Sequence, residues 1–230
     1  MKPTLNLFFD MEFTSLSPDA QIISLGIVSD EWNGGVYQAI KGLPMRLESK
    51  SFYAEFSDFQ IDLCDDWVKE NVVGKLKYFN VADANSHDYL NLQVKSNTAE
   101  IEKCLTEWLS QFSDYNLQFV GDCATFDWYH LLHLIGGWER QIYVDESKLR
   151  FQGYEPEYFK IGLPKLPDNI SPVPQDLNDL IAIKKGISVR EAFDLDRECE
   201  AAVDGEVYPD EKHNSLWDAK VIKAIYNNLK

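Results

Sequence analysis

The chain has 230 residues, of which 45% are hydrophobic and 13% aromatic, and its 38 acidic residues against 22 basic ones give a formal net charge of −16. That length and apolar content suffice for a well-buried core and read as one domain of generous size carrying insertions. The charge repels polyanions and anionic surfaces at long range, so taken alone it weighs against a nucleic-acid partner, and less so where bound divalent cations invert the potential locally.

The segments LNLFFDMEF (5–13) and QIISLGIVSD (21–30) are apolar, β-rich runs separated by the turn-like SLSPDA, and EWNGGV turns the chain again. They predict strands of a meander. Two segments compete for the third strand, GVYQAI (35–40) and KSFYAEF (50–56), with an insertion near 41–50 between them. From a cap at Asn97 or Thr98, the residues Ile101, Cys104, Leu105, Trp108, Leu109 and Phe112 recur at helical spacing. LQFVGD (117–122) predicts a short strand, followed by a helix over TFDWYHLLHLIGG that Gly136 and Gly137 stop. Residues 145–175 hold five prolines and no sustained period, which predicts a long functional or subunit-contacting loop within the same domain. DLNDLIAIKK then reads as a helix ended by Gly186, SVRE (188–191) as a capping box, and SLWDAKVIKAIYNNL as a final helix striped by Leu216, Ala219, Ile222, Ile225, Tyr226 and Leu229. The alternation is that of a single α/β domain over 1–230.

No segment reaches the ~18 consecutive apolar residues of a membrane span, and the opening MKPTLNLFFDMEF carries acid where a signal peptide needs an apolar region. No membrane association and a cytoplasmic location are the expectations. Cys64, Cys104, Cys123 and Cys199 are scattered without a C-x-x-C spacing, which suits reduced thiols.

Asp10 and Glu12 stand one residue apart in the first strand. Alternate side chains share a strand face, so both point one way while Leu7, Phe9 and Met11 point the other. Two like charges about 6–7 Å apart on one face form half a cage for magnesium or manganese; a solvated strand end is the plain alternative. Asp127 falls just after the predicted strand 117–122, near a helix start, and His213 precedes Asp218 by five residues, the histidine in a loop and the aspartate in the first turns of the final helix. Singly, such residues also fit helix caps, dipole partners or solvated loops. His130 and His133 lie three apart on one helix, but no second His or Cys pair completes a metal site. The basic KKGISVR reads as a solvated helix end, with phosphate tracking as its functional alternative.

In chain order, these motifs resemble those of the DEDDh family of 3′-5′ exonucleases. Its D-x-E matches Asp10 and Glu12, its aromatic-Asp matches Phe126 and Asp127, and its H-x-x-x-x-D matches His213 and Asp218. Asp122, the rival for the second motif, lacks the preceding aromatic residue. DMEF, FYAEF followed by WVKENV, and HNSLWDA are most similar to bacterial and phage exoribonucleases related to the polyadenylate-trimming enzyme of mycobacteria. Met11 stands where threonine is frequent and Ser215 where alanine is common, and neither change removes a ligand. The resemblance implies an RNase H-like mixed sheet, an antiparallel meander plus parallel strands, flanked by helices. It also implies a metal-dependent 3′-5′ exoribonuclease that releases nucleoside 5′-monophosphates from single-stranded RNA ends. Two Mg2+ or Mn2+ ions would be held by Asp10, Glu12, Asp127 and Asp218, with His213 as the base. Phe13, Thr14 and Ser15 would contact the terminal nucleotide, with Phe13 or Trp128 as a stacking face, and a homodimer is consistent with the family. A DNA-directed exonuclease and a catalytically silent RNase H-like binding module are the alternatives.

Overall fold

The computed structural model describes residues 2–17, 19–30, 49–81, 84–87, 91–136, 166–201 and 212–230. In chain order the elements are β1 (Thr4–Phe13), β2 (Ile22–Ser29), β3 (Ser51–Phe56), α1 (Asp66–Asn71), β4 (Ala84–His87), β5 (Asn91–Ser96), α2 (Thr98–Ser110), β6 (Asn116–Gly121), α3 (Thr125–Gly136), β7 (Gln175–Asp176), α4 (Leu177–Lys185), α5 (Val189–Phe193), α6 (Arg197–Ala201) and α7 (Ser215–Leu229). The strands form one mixed sheet of order β4-β5-β3-β2-β1-β6-β7. β1, β2 and β3 are the antiparallel meander, and β6 and β7 extend it in parallel beyond β1. This is the expected α/β class, a mixed sheet flanked by helices.

Of the two candidates for the third strand, KSFYAEF supplies β3; GVYQAI, the preceding turn EWNGGV, most of the 41–50 insertion and residues 145–165 lie outside the described residues. β4, β5, β7, α1 and α6 have no counterpart among the elements predicted from sequence. The reason is local: β5, α1 and α6 carry one buried residue each, Val94, Val68 and Ala201, and β7 is two residues long, so none has an apolar period to read. Elements with strong local signals form where expected. Asn97 caps α2 by accepting from the Glu100 amide at 3.1 Å, and Ser188 and Glu191 form their reciprocal capping box at the start of α5. Gly186 ends α4 with φ +66°, the left-handed conformation that glycine adopts without a Cβ penalty.

The sheet separates two apolar layers. Leu5, Leu7, Phe9, Met11 and Phe13 from β1 pack on one face with Ile101, Leu105 and Trp108 of α2 and Trp128, Leu131 and Leu134 of α3. On the other face Phe8 and Val120 meet Leu177 and Ile181 of α4 and Trp217, Val221, Ile222 and Ile225 of α7. Asp10 and Glu12 share this second face, beyond the apolar part of α7.

Two contacts seat the start of α7 on β2. Gly26, the cross-strand partner of Asp10, leaves no room for a side chain: a Cβ there would collide with backbone atoms of Ser215 and Leu216. Next to it Ser24, the partner of Glu12, accepts from the Ser215 hydroxyl at 3.0 Å, and both residues are fully buried. The serine found where alanine is common therefore has a buried partner of its own. Ser215→Ala is expected to leave the Ser24 hydroxyl unpaired and to destabilise the fold by about 1–3 kcal/mol, whereas Ser24→Ala/Ser215→Ala recovers much of the loss. Urea unfolding of the four proteins checks this; additive single effects would show that the pair does not couple.

Candidate active site

Four carboxylates from three elements meet in one cleft of ≈320 Å³, lined among others by Asp10, Glu12, Asp127, Asp218, Asp122, Arg197, His213 and Leu16. Asp10 and Glu12 come from the end of β1, where a register shift between Glu12 and Phe13 breaks the ladder with β2. Asp218 comes from the first turn of α7, whose N-cap Asn214 accepts from the Trp217 amide at 3.3 Å. Ligand oxygens of Asp10, Glu12 and Asp218 all lie within 4.8 Å of one another. Asp127 lies in the first turn of α3, and its Oδ2 accepts from the Met11 amide at 3.2 Å, tying it to the strand between the two β1 acids.

The start of α3 is held from elsewhere in the chain. Asp176 caps α4 with Oδ1, accepting from the Asn178 amide at 2.9 Å, while its Oδ2 accepts from the Ala124 amide at 2.9 Å. Cys123, with φ +53°, makes the turn between β6 and α3. Asp122 does not join the carboxylate cluster as an open ligand. Arg197 grips it through Nε and Nη2 at 2.5 and 3.1 Å, and Asn178 donates to its Oδ1 at 2.9 Å. Arg197 also reaches the Asn178 side-chain oxygen and the Ala192 carbonyl, at 2.6 and 2.8 Å. This network was not legible from sequence, because its members come from three separate elements and no local pattern links them.

Electrostatics separate the cluster from an ordinary acidic surface. Burial, then the charges of Asp218, Asp127, Glu12 and Asp122, holds the Asp10 carboxyl well above its usual range. Burial together with Asp218 and Asp127 pushes Glu12 up to about 9. Asp127 and Asp218 both rise to about 7, chiefly through burial, although the Met11 amide draws the first down and the His213 amide and Lys212 the second. At neutral pH such a cluster retains protons unless a cation replaces them. The donor set fits a divalent ion: opposite oxygens of an octahedral magnesium stand about 4.2 Å apart, so three oxygens within 4.8 Å need only small side-chain adjustments to share one.

His213 occupies the loop before α7 with φ +66°, and its backbone amide lies near enough to the Asp218 carboxyl to lower its pKa. Burial, Lys212 and Lys75 lower its imidazole pKa, which keeps the ring in its neutral, proton-accepting form. Trp67 of α1, 54% exposed, meets that ring edge-on with centroids 5.1 Å apart. The next residue, Asn214, donates to the Tyr53 hydroxyl at 3.1 Å, and Tyr53 in turn donates to the buried Glu55 at 2.8 Å, so the loop is anchored on β3.

The structure thus brings Asp10, Glu12, Asp127, His213 and Asp218 to one cleft. It treats the expected nucleotide contacts differently. Phe13 is only 6% exposed, its ring packed in the core against Phe126 and His130 with both centroids at 4.7 Å, so it presents no face to a base. Trp128 is equally buried, against Phe9 and Phe119, with its indole nitrogen donating to the Pro172 carbonyl. Thr14, 2% exposed, accepts from the Gln21 amide, and Ser15 is paired with the Ser17 hydroxyl. The physical cause is strand alternation carried past the acids, which turns Phe13 to the opposite face from Glu12. The apolar residue of this stretch that lines the cleft is Leu16, 88% exposed, and no sequence signal marks an apolar residue as exposed. His130 is a core residue ringed by Phe13, Phe126 and Tyr129. In KKGISVR, Lys185 pairs with Glu200 and Arg190 with Asp194, in keeping with a solvated helix end. The four cysteines are free. Among the described residues no helix is long and apolar enough to cross a membrane.

These shifts set the pH dependence of the metal-free fold. A carboxyl whose pKa is higher in the folded than in the unfolded state binds more protons when folded, so stability falls as pH rises between the two values. The loss therefore starts near the ordinary carboxyl range, about pH 4, and continues until Asp127 and Asp218 titrate at about 7 and Glu12 at about 9. In chelator the unfolding midpoint is expected to decline from pH 5 to pH 9 (roughly the window set by those values), and Glu12→Gln is expected to flatten the upper part. A midpoint that rises over the same window would show that the cluster is not strained by its own charge.

No protein-family model matches the chain, and no curated protein matches it.

Proposed function

We propose that the protein is a metal-dependent 3′-5′ exonuclease of the DEDDh type, acting on single-stranded RNA ends and releasing nucleoside 5′-monophosphates. The observation that carries this reading is the cluster itself. Residues 10, 12 and 218 place three carboxylate oxygens within 4.8 Å, with Asp127 and a neutral histidine on the same cleft. A core of this fold has no packing reason to gather four partly buried acids.

Two magnesium or manganese ions held by Asp10, Glu12, Asp127 and Asp218 would supply charge neutralisation at the scissile phosphate and a water acidic enough to attack it. The chain's own residues supply the rest. His213 accepts the proton of the attacking water, and its lowered pKa keeps it ready to do so at neutral pH. As the new P–O bond forms, the bond to the 3′ oxygen of the preceding nucleotide breaks, and that oxygen takes a proton from solvent. Asp127 stays oriented through the Met11 amide, and Asp218 through its place in the first turn of α7, which Asn214 caps directly after His213. Arg197 masks Asp122, so one negative charge at the rim is offset where an anionic strand approaches.

The test is incubation with matched 5′-labelled single-stranded RNA and DNA in manganese, magnesium or chelator. Stepwise, metal-dependent shortening of RNA is the expected result. Equal or faster loss of DNA would reassign the substrate, and no shortening of either would overturn the enzymatic reading in favour of a silent binding module.

A further inference from the structure

A second cavity, of ≈470 Å³, lies on the other side of the His213 loop, lined by Tyr53, Lys75, Lys77, Gln93, Asn214 and Lys220 among others. His213 lines the carboxylate cleft and Asn214, the next residue, lines this one, so the two cavities are neighbours across a single peptide unit. Their chemistry is opposite. The first is walled by acids, whereas the second is lined by three of the chain's 22 basic residues and, among the described residues, by no carboxylate. In a protein of net charge −16, three ammonium groups facing one cavity are a local concentration of positive charge.

The lysines arrive from different parts of the fold. Lys75 and Lys77 flank the turn after α1, and Lys220 projects from α7 one turn beyond Leu216, which also lines the cavity. Lys77 is fixed by donating to Gln93 on β5 at 2.5 Å, an oxygen that also accepts from the Tyr78 hydroxyl at 2.7 Å. Lys75 is near enough to His213 to act on it electrostatically. Asn214 completes the lining: its side-chain amide donates one N–H to the Tyr53 hydroxyl, whose own proton goes to Glu55 behind the wall, and a second N–H is left for a ligand. Three cations with an adjacent amide donor match the needs of a phosphate oxygen.

We propose that this lysine-lined cavity binds a backbone phosphodiester of the single-stranded nucleic acid, at a nucleotide other than the one being cleaved. The inference rests on the exonuclease reading and deepens it. It explains how a strongly acidic protein holds a polyanion, with cations at the carboxylate cleft and lysines beside it, and it makes affinity depend on strand length.

The test is fluorescence anisotropy with a labelled single-stranded RNA octanucleotide, in calcium, a divalent cation that takes oxygen ligands at the carboxylate cleft, over a range of salt concentrations. The wild type is compared with Lys77→Gln/Lys220→Gln and with Lys103→Gln/Lys230→Gln, which removes the same charge from elsewhere on the surface. The cavity variant is expected to lose about tenfold or more in affinity at about 50 mM salt and to lower the salt slope by about 0.7, the value for one phosphate no longer neutralised on a single strand. Equal losses in both variants would reduce the effect to net charge and overturn the proposal, as would no loss in the cavity variant or a wild type that fails to bind. Displacement of the RNA by millimolar (on the order of the weakest specific affinities) inorganic phosphate would assign the cavity to free phosphate instead. Strand shortening by the same proteins separates the two readings. A wild type that binds through these lysines without shortening RNA sinks the exonuclease alone; shortening with kcat/KM equal in all three proteins sinks the lysine site alone.

Discussion

Asp10→Asn is expected to raise the thermal midpoint of the metal-free protein while abolishing both its stabilisation by manganese and its shortening of RNA. The two signs have one origin. Asp10 is half-buried and faces Asp218, Asp127, Glu12 and Asp122, so an amide, which is neutral without binding a proton, removes the cost of holding a carboxyl in the empty cluster and takes a central ligand from the filled one. A relief of about 1–2 kcal/mol corresponds to a rise of roughly 2–8 °C for a chain of this size. In the wild type, manganese at about 100 times its dissociation constant should add about 2.7 kcal/mol, and the variant should forfeit that gain. Activity should fall by at least about 10²–10³-fold, the range for losing one principal electrostatic element. Calorimetry with and without manganese reads the first two effects, and the strand assay the third. A variant that is less stable in chelator would mean that Asp10 is held by favourable contacts rather than strained by its neighbours, and the case for a cation site would fail with it.

Among the described glycines, Gly26→Ala should be the most damaging added methyl. Its Cβ would press on the backbone of Ser215 and Leu216, which cannot swing aside as a side chain can, so α7 must shift bodily. Overpacking of this kind costs about 1–3 kcal/mol, and the movement displaces Asp218 and His213, which ride on the same turn. A misplacement of about 1 Å is enough to lower turnover by about 10². The expected result is a lowered midpoint, little stabilisation by manganese, and near-complete loss of strand shortening. Full activity in a folded Gly26→Ala would show that the seating of α7 on β2 does not position the site.

The D-x-E pair, the offset between His213 and Asp218, and the place of Asp127 after a strand were legible in the sequence because each is fixed by local periodicity. A strand face is set by alternation and a first helical turn by its cap, and neither needs knowledge of the rest of the chain. Phe13 shows the limit of the same rule. Alternation alone turns it away from Glu12, and the packing of Phe126 and His130 around it places its ring in the core.

Local sequence suffices for the α/β class, the meander that opens it, the caps at Asn97 and Ser188, the stop at Gly186 and the shared face of Asp10 and Glu12. Each follows from contacts within a few residues. Long-range packing selects KSFYAEF as the third strand, lays β5 parallel beside it, pairs Arg197 with Asp122 and turns three lysines from α7 and the segment after α1 to one cavity. These depend on which surfaces meet after long loops close. That choice is made by burial and charge summed over the whole domain, and no short window of sequence contains it.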